Sequence, residues 1–232
     1  MKPPQPKKIP KIHTAHGDER IDDYYWLRDD TRKNPEVISY LEAENKYLES
    51  WFKNKNDCRK EIYDELVSLI PPHEVSMKVK YGDYYYFSEI SSDQQYKTYY
   101  REISGNKELV LDVNELAENL DYFNVASITP SPNNHYIAYA EDLSGRREYN
   151  IKIKNLETGQ IIDESIQRSS GSVVWNKNND TIYYALKDPV TLIENKVFKH
   201  KVGTDTKEDI LIYEEKDTEF HLHIFESRTK KY

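Results

Sequence analysis

SPNNHYIAYA at residues 131–140 and NKNNDTIYYA at 176–185 are two copies of one pattern, a polar turn running into a short apolar strand. The copies start 45 residues apart, and a looser third, YGDYYYFS, stands at 81–88. Strand-bearing units repeated at roughly 40–50 residues are the signature of propeller blades, in which stacking of neighbours buries what no unit can bury alone. Around the first copy lie four apolar runs: Phe123, Val125 and Ile128; 136–140; the strictly alternating YNIKIKNL at 149–156; and 160–166. Pro132-Asn133-Asn134, Ser144-Gly145 and Glu157-Thr158-Gly159 separate them, with Asn and Gly available for positive φ. The next unit has runs at 173–175, 181–185, 195–202 and 210–213, and the preceding one at 79–86, 96–102 and 108–112. FHLHIF at 220–225 reads as the opening strand of a fourth. The expected fold is mainly β, with blades at 79–118, 121–167 and 171–215 and the start of another at 218–232. Three to four blades form an incomplete propeller, since closed rings have roughly four to eight.

Composition supports a packed aromatic core. Only 37% of the 232 residues are hydrophobic, but 20 Tyr, 6 Phe and 3 Trp are the reverse of a disordered composition. A net charge of -8 without a long basic face argues against a nucleic-acid partner. The one cysteine, Cys58, excludes an intramolecular disulfide, and its place in a helical pattern suggests a buried thiol. The basic, proline-rich start MKPPQPKKIPKIH has no apolar signal region, and no 18-residue apolar run occurs. These features lead us to expect a cytoplasmic protein with no membrane partner, in which the sequon Asn179-Asp180-Thr181 is a turn between strands.

Ahead of the strands, residues 1–78 read as a helical extension. Residues 1–15 carry four prolines and are expected to be extended, and HGDERIDDYYWLRDD at 16–30 should lie across a surface. Asn34 and Pro35 open a helix with Val37, Leu41, Leu48 and Phe52 on one face. Asp57 is placed as the cap of a second helix bearing Cys58, Ile62, Leu66, Leu69 and Ile70, ended by Pro71-Pro72.

Candidate chemistry is sparse. His16, Asp22, Asp23, Asp29 and Asp30 lack ligand spacing and have Arg20, Arg28 and Arg32 for partners, so ion pairing is favoured over a metal site. His221 and His223 share one side of a strand pattern but lack a third clustered ligand. Ser104, Ser144 and Ser172 each touch a glycine, yet none lies in the G-x-S-x-G turn that a hydrolase nucleophile needs. No phosphate loop, C-x-x-C or H-E-x-x-H is present. We therefore assign no catalytic residue, metal or cofactor.

The stretch containing His16, Gly17, Arg20, Asp22, Tyr24, Trp26, Leu27, Arg28 and Asp29, followed by YLEAEN at 40–45, resembles the start of the prolyl oligopeptidase family of serine peptidases. LDVNELA at 111–117, AEDLSGRREYNIKIKNLETG at 140–159 and HKVGTDTKEDILIYEEKDTEF at 200–220 resemble its oligopeptidase B (protease II) branch. The resemblance covers almost the whole chain. It implies an N-terminal helical extension, a propeller of seven-bladed type, and cleavage of short peptides after Arg or Lys by a Ser-Asp-His triad in a following α/β-hydrolase domain. That domain is expected to be absent here, which makes the chain inactive alone. Arginines matching Arg146 and Arg147 lie, in the family, near the interface with the catalytic domain, so these two are expected at a substrate-access or domain-interface site. Three functions remain open: a truncated remnant, one half of a split peptidase completed by a separate C-terminal hydrolase fragment and then acting on short basic peptides, and a stand-alone binding module.

Overall fold

In the computed structural model, residues 2–227 and 229 are described, and the chain divides into two compact bodies between Ile70 and Pro71. The division falls a few residues before position 78 because His73–Val75 already pairs with a strand of the second body.

The N-terminal body opens with a hairpin of β1 (Lys11–Ala15) and β2 (Asp18–Asp22). Its two-residue turn is His16-Gly17, with φ of 53° and 81°, the pair of positive values that a tight twisted hairpin requires. Residues 11–15 are thus paired, where the proline content suggested only an extended lead-in. Trp26 Nε1 donates to the Lys7 carbonyl at 2.9 Å, and its ring meets Tyr40 edge-on at 6.2 Å. Tyr24 N donates to Asp22 Oδ1 at 2.9 Å, and Arg28 pairs with Asp30 at 3.2 Å. Asp29 accepts from the Thr31 hydroxyl and from the backbone N–H groups of Asn34, Lys33 and Thr31, which hold its carboxyl at about 2. This gathered turn feeds α1 (Pro35–Phe52), where Asn34 Oδ1 caps the Glu36 N–H at 3.0 Å and Pro35 occupies the first turn.

A 3-10 turn over Lys53–Lys55 leads into α2 (Asn56–Ser68). Two expectations are corrected there. Asp57 lies inside the first turn, with Lys55 at the cap position and no side-chain cap bond. Cys58 is exposed, because α2 buries no residue at all. In α1 only Val37 is buried, while Leu41, Leu48 and Trp51 stay exposed.

The second body holds two antiparallel sheets. In the first, β3 (His73–Val75) and β4 (Val79–Tyr81) both pair with β5 (Tyr84–Ser91), followed by β6 (Thr98–Ile103) and β7 (Asn106–Asp112). The run 79–86, read as one strand, is a hairpin: Gly82 takes φ of 61° and brings Tyr81 opposite Tyr84. A short helix, α3 (Val113–Leu116), is capped by Asp112.

The second sheet is a meander in chain order. It comprises β8 (Asn124–Pro130), β9 (Tyr136–Asp142), β10 (Tyr149–Asn155), β11 (Ile161–Trp175), β12 (Thr181–Lys187), β13 (Glu194–Lys201) and β14 (Ile210–Glu214). The runs 160–166 and 173–175, expected as separate strands, are fused in the 15-residue β11. Its first half pairs with β10 as far as Ser169, its last residues pair with β12, and the register breaks between Ser169 and Val173. Positive φ at Arg168 and Gly171 turns the strand there without ending it. A Cβ on Gly171 would meet Tyr149 Cδ2 at 2.9 Å and Ala126 Cβ at 3.2 Å, so the bend needs glycine for space as well as for φ. β11 is thus the outer strand of one blade and the inner strand of the next.

The repeated turns hook successive blades together. Asn134, with φ of 60°, accepts from the Tyr86 hydroxyl at 2.9 Å and from Arg101, both in the first sheet. Its counterpart one repeat later, Asn179, with φ of 64°, accepts the Asn133 N–H at 2.8 Å. Two cores lie between blades. Val110, Leu111, Val113, Phe123, Ile137 and Tyr139 fill one; Ala138, Ala140, Ile151, Ile153, Ile166, Trp175, Ile182 and Tyr184 belong to the other. The alternation of YIAYA supplies both cores, with Ile137 and Tyr139 on one face of β9 and Ala138 and Ala140 on the other.

FHLHIF does not form the expected strand of a fourth blade. Residues 220–227 have no strand pairing, and Leu222 N donates to Glu194 O at 3.2 Å. Alternation alone is insufficient, because a strand also needs a partner edge and none is offered to this segment among the described residues. Residues 228 and 230–232 of the expected fourth blade lie outside the described residues.

Candidate functional site

Arg146 and Arg147 stand on the loop between β9 and β10, and a buried carboxylate shapes that loop. Asp142 Oδ1 accepts from Ser144 N at 2.8 Å, the Ser144 hydroxyl at 2.9 Å and Gly145 N at 3.0 Å, and Oδ2 accepts Arg147 N at 2.7 Å. Burial pushes the Asp142 carboxyl up, but these N–H and O–H donors outweigh it and hold the group below its ordinary range. The backbone is thereby fixed, with Arg147 at φ of 58° and its carbonyl accepting Lys187 Nζ from the third blade at 2.9 Å. Both arginines are exposed, and neither guanidinium has an ion-pair partner among the described residues. A rigid loop presenting two uncompensated cations can attract an anionic or C-terminal carboxylate group.

Among the described residues, the structure does not bring together the groups of an acyl-transfer site. The one buried histidine, His200, has both ring nitrogens on carboxylates: Nδ1 is 2.6 Å from Asp209 Oδ1 and Nε2 is 2.7 Å from Asp163 Oδ2. The Ser165 hydroxyl bonds to Asp163 at 2.7 Å, so the order is Ser-Asp-His and the imidazole has no free nitrogen to serve as base for the hydroxyl. His223 is exposed and lies 3.6 Å from Glu194, and among the described residues no group of three or more His, Cys, Asp or Glu is placed to hold a metal ion. The signature residues His16, Gly17, Arg20, Asp22, Tyr24, Trp26, Leu27, Arg28 and Asp29 all fall in the hairpin and turn that lead to α1, where their bonds shape the backbone.

On the open side of the third blade, Val174, Trp175, Tyr183, Val197, Ile224 and Phe225 line a groove of about 620 Å³. No helix among the described residues is long and apolar enough to cross a membrane.

Residues 3–232 match the family described as prolyl oligopeptidase, N-terminal β-propeller domain. The chain belongs to that family. Among its relatives, the protein named protease 2 from Moraxella lacunata is 36% identical over all of this chain and 35% of its own length. Dipeptidyl aminopeptidase BI from Pseudoxanthomonas mexicana is 34% identical over 99% of this chain and 34% of its own. Oligopeptidase B from Leishmania major superposes with a TM-score of 0.89 at 29% identity, over 97% of this chain and 34% of that one. This prolyl oligopeptidase propeller chain therefore spans about a third of the length of the relatives it matches. The fused β11 and the His200 cluster escaped sequence reasoning: the first hides under a turn-like RSSGS, and the second joins residues up to 46 positions apart.

Proposed function

We propose that the chain is the non-catalytic extension-and-propeller portion of an oligopeptidase of the protease 2 type, inactive by itself, and that a polypeptide bearing a hydrolase domain completes it to cleave short peptides after Arg or Lys. The observation that carries this reading is the match to the propeller third of the relatives, taken with a described chain whose only buried histidine is committed to two carboxylates. Arg146 and Arg147 then act at the approach to the hydrolase face, holding a carboxylate of the peptide or of the partner. Cytoplasmic residence is part of the same reading and suits a chain with one unpaired cysteine. The relative named dipeptidyl aminopeptidase BI supports a second reading of specificity, release of N-terminal dipeptides.

The test is hydrolysis of fluorogenic Arg, Lys and dipeptidyl substrates by the purified chain, alone and mixed with the remaining two-thirds of the Moraxella relative. Activity only in the mixture, selective for Arg and Lys, is the expected result, and Arg146→Ala with Arg147→Ala should lower it several-fold without altering the fold. Hydrolysis by the chain alone would overturn the reading, and dipeptide release alone would replace the specificity.

A further inference from the structure

The His200 cluster lies outside the proposed substrate approach, yet it is among the most fully buried polar arrangements in the chain. His200 is 0% exposed, at the end of β13 in the third blade. Asp163 belongs to the first half of β11, the outer strand of the second blade, and Asp209 stands just ahead of β14. Gly203 N also donates to Asp163 Oδ2, at 2.6 Å, so one carboxylate of the second blade grips both the end of β13 and the turn that follows it. Tyr184, from β12, donates its hydroxyl to Asp209 Oδ2 at 2.8 Å. The titratable groups facing the imidazole are therefore Asp163 from β11 and Asp209 from the approach to β14, with Tyr184 of β12 behind Asp209. HKVGTDTKED thus has a structural use: its His and Gly close on one aspartate of the preceding blade, and its last Asp holds the other side of the imidazole.

An imidazole between two carboxylates at 2.6 and 2.7 Å satisfies both only as the imidazolium, with each ring N–H donating. The neutral ring has one N–H and one lone pair, and the lone pair would face a carboxylate oxygen across a buried contact. We propose that Asp163, His200 and Asp209 form a proton-operated clasp between the second and third blades, closed while the imidazole carries its second proton and loosened when that proton passes to solvent. Burial pushes His200 down, but its bonds to Asp163 and Asp209 outweigh this and raise it above its ordinary value. Burial likewise pushes Asp163 up, and the His200, Gly203 and Ser165 donors carry it far below the carboxylate range. A raised histidine contributes stability that is complete below its unfolded value and is lost as pH rises through the folded one. A lowered aspartate contributes stability present above its unfolded value and lost as pH falls through the folded one. The clasp is accordingly tightest from about pH 4 to about pH 6.5 and loosens on the alkaline side, above the ordinary histidine value.

Nitrogen NMR of the histidine side chains in this chain, recorded against pH, tests the proposal. His200 should remain doubly protonated at a pH above the ordinary histidine value of about 6.5, and Asp209→Asn should lower its proton affinity about ten-fold. Hydrogen exchange of the Gly203 amide, corrected for its intrinsic pH dependence, should lose about ten-fold or more of its protection through the His200 titration, while β9 amides keep theirs. His200→Gln supplies the assignment; Asp209→Asn serves alone if that variant does not fold. A neutral His200 at pH 6, or Gly203 protection unchanged across the His200 titration, would overturn the clasp.

Discussion

Strands β9 and β14 have similar apolar content and opposite surroundings. β9, YIAYAED, is buried from Ile137 to Asp142, whereas β14, ILIYE, is exposed throughout, with Ile212 52% accessible. Both belong to one sheet and both are hydrogen-bonded, so backbone pairing does not separate them. What differs is the neighbourhood: β9 has β8 and β10 beside it and a core on each face, while β14 is an edge with β13 on one side only. In a propeller the burial of a strand comes mainly from adjoining blades, and local sequence cannot reveal how many of those are present. The same lesson applies to α1 and α2, whose Leu41, Leu48, Ile62 and Leu66 have helical spacing and yet are exposed.

The sharpest way to break this comparison is a pair of truncations. Ile137→Ala should destabilise the second body by about 2–5 kcal/mol, because it empties a fully buried site between two blades. Ile212→Ala should change the unfolding free energy, read from urea denaturation, by no more than about 0.5 kcal/mol. Equal effects would mean that β14 is covered in solution. Gly171→Ala should follow at about 1–3 kcal/mol, since the new methyl meets Tyr149 and Ala126 at a backbone angle suited to glycine. Asn34→Ala should cost about 1 kcal/mol, read as lost helicity by circular dichroism without a change in β9 hydrogen exchange, because the cap serves α1 alone. The smallest effect concerns Asp29, whose contribution is present above the ordinary carboxylate value and lost as pH falls through about 2. Thr31→Val should move its NMR titration midpoint back toward about 3.9, the free value.

Much of this architecture is written locally. The paired copies 131–140 and 176–185 became turn and strand at β9 and β12, and Asn134 and Asn179 adopted the positive φ that their turns suggested. Asn34-Pro35 opened α1 for the same reason, that a cap and a first-turn proline act within a few residues. The misses were failures of context. RSSGS has the composition of a turn, but Ser169 bonds to Tyr149 and keeps β11 extended through it. FHLHIF has the alternation of a strand without a partner edge. Cys58 fits an apolar pattern on α2, a helix with no buried residue. Arg146 and Arg147 could be placed on a hairpin loop from sequence, while the Asp142 bonds that fix that loop depend on how the carboxylate turns inward. The His200 clasp depends on Asp163, 37 residues earlier in another blade, a juxtaposition that only the stacked fold creates.

Native-state hydrogen exchange across the second body tests the central claim, that among the described residues β14 is an exposed edge strand while β9 is buried between two cores. Amides of β9 and β10 should be the slowest and those of β14 the fastest of any strand in the seven-stranded sheet, with protection falling from the middle blade toward the edge. Equal protection of β14 and β9 would contradict the account and would mean that the third blade's outer face is already covered.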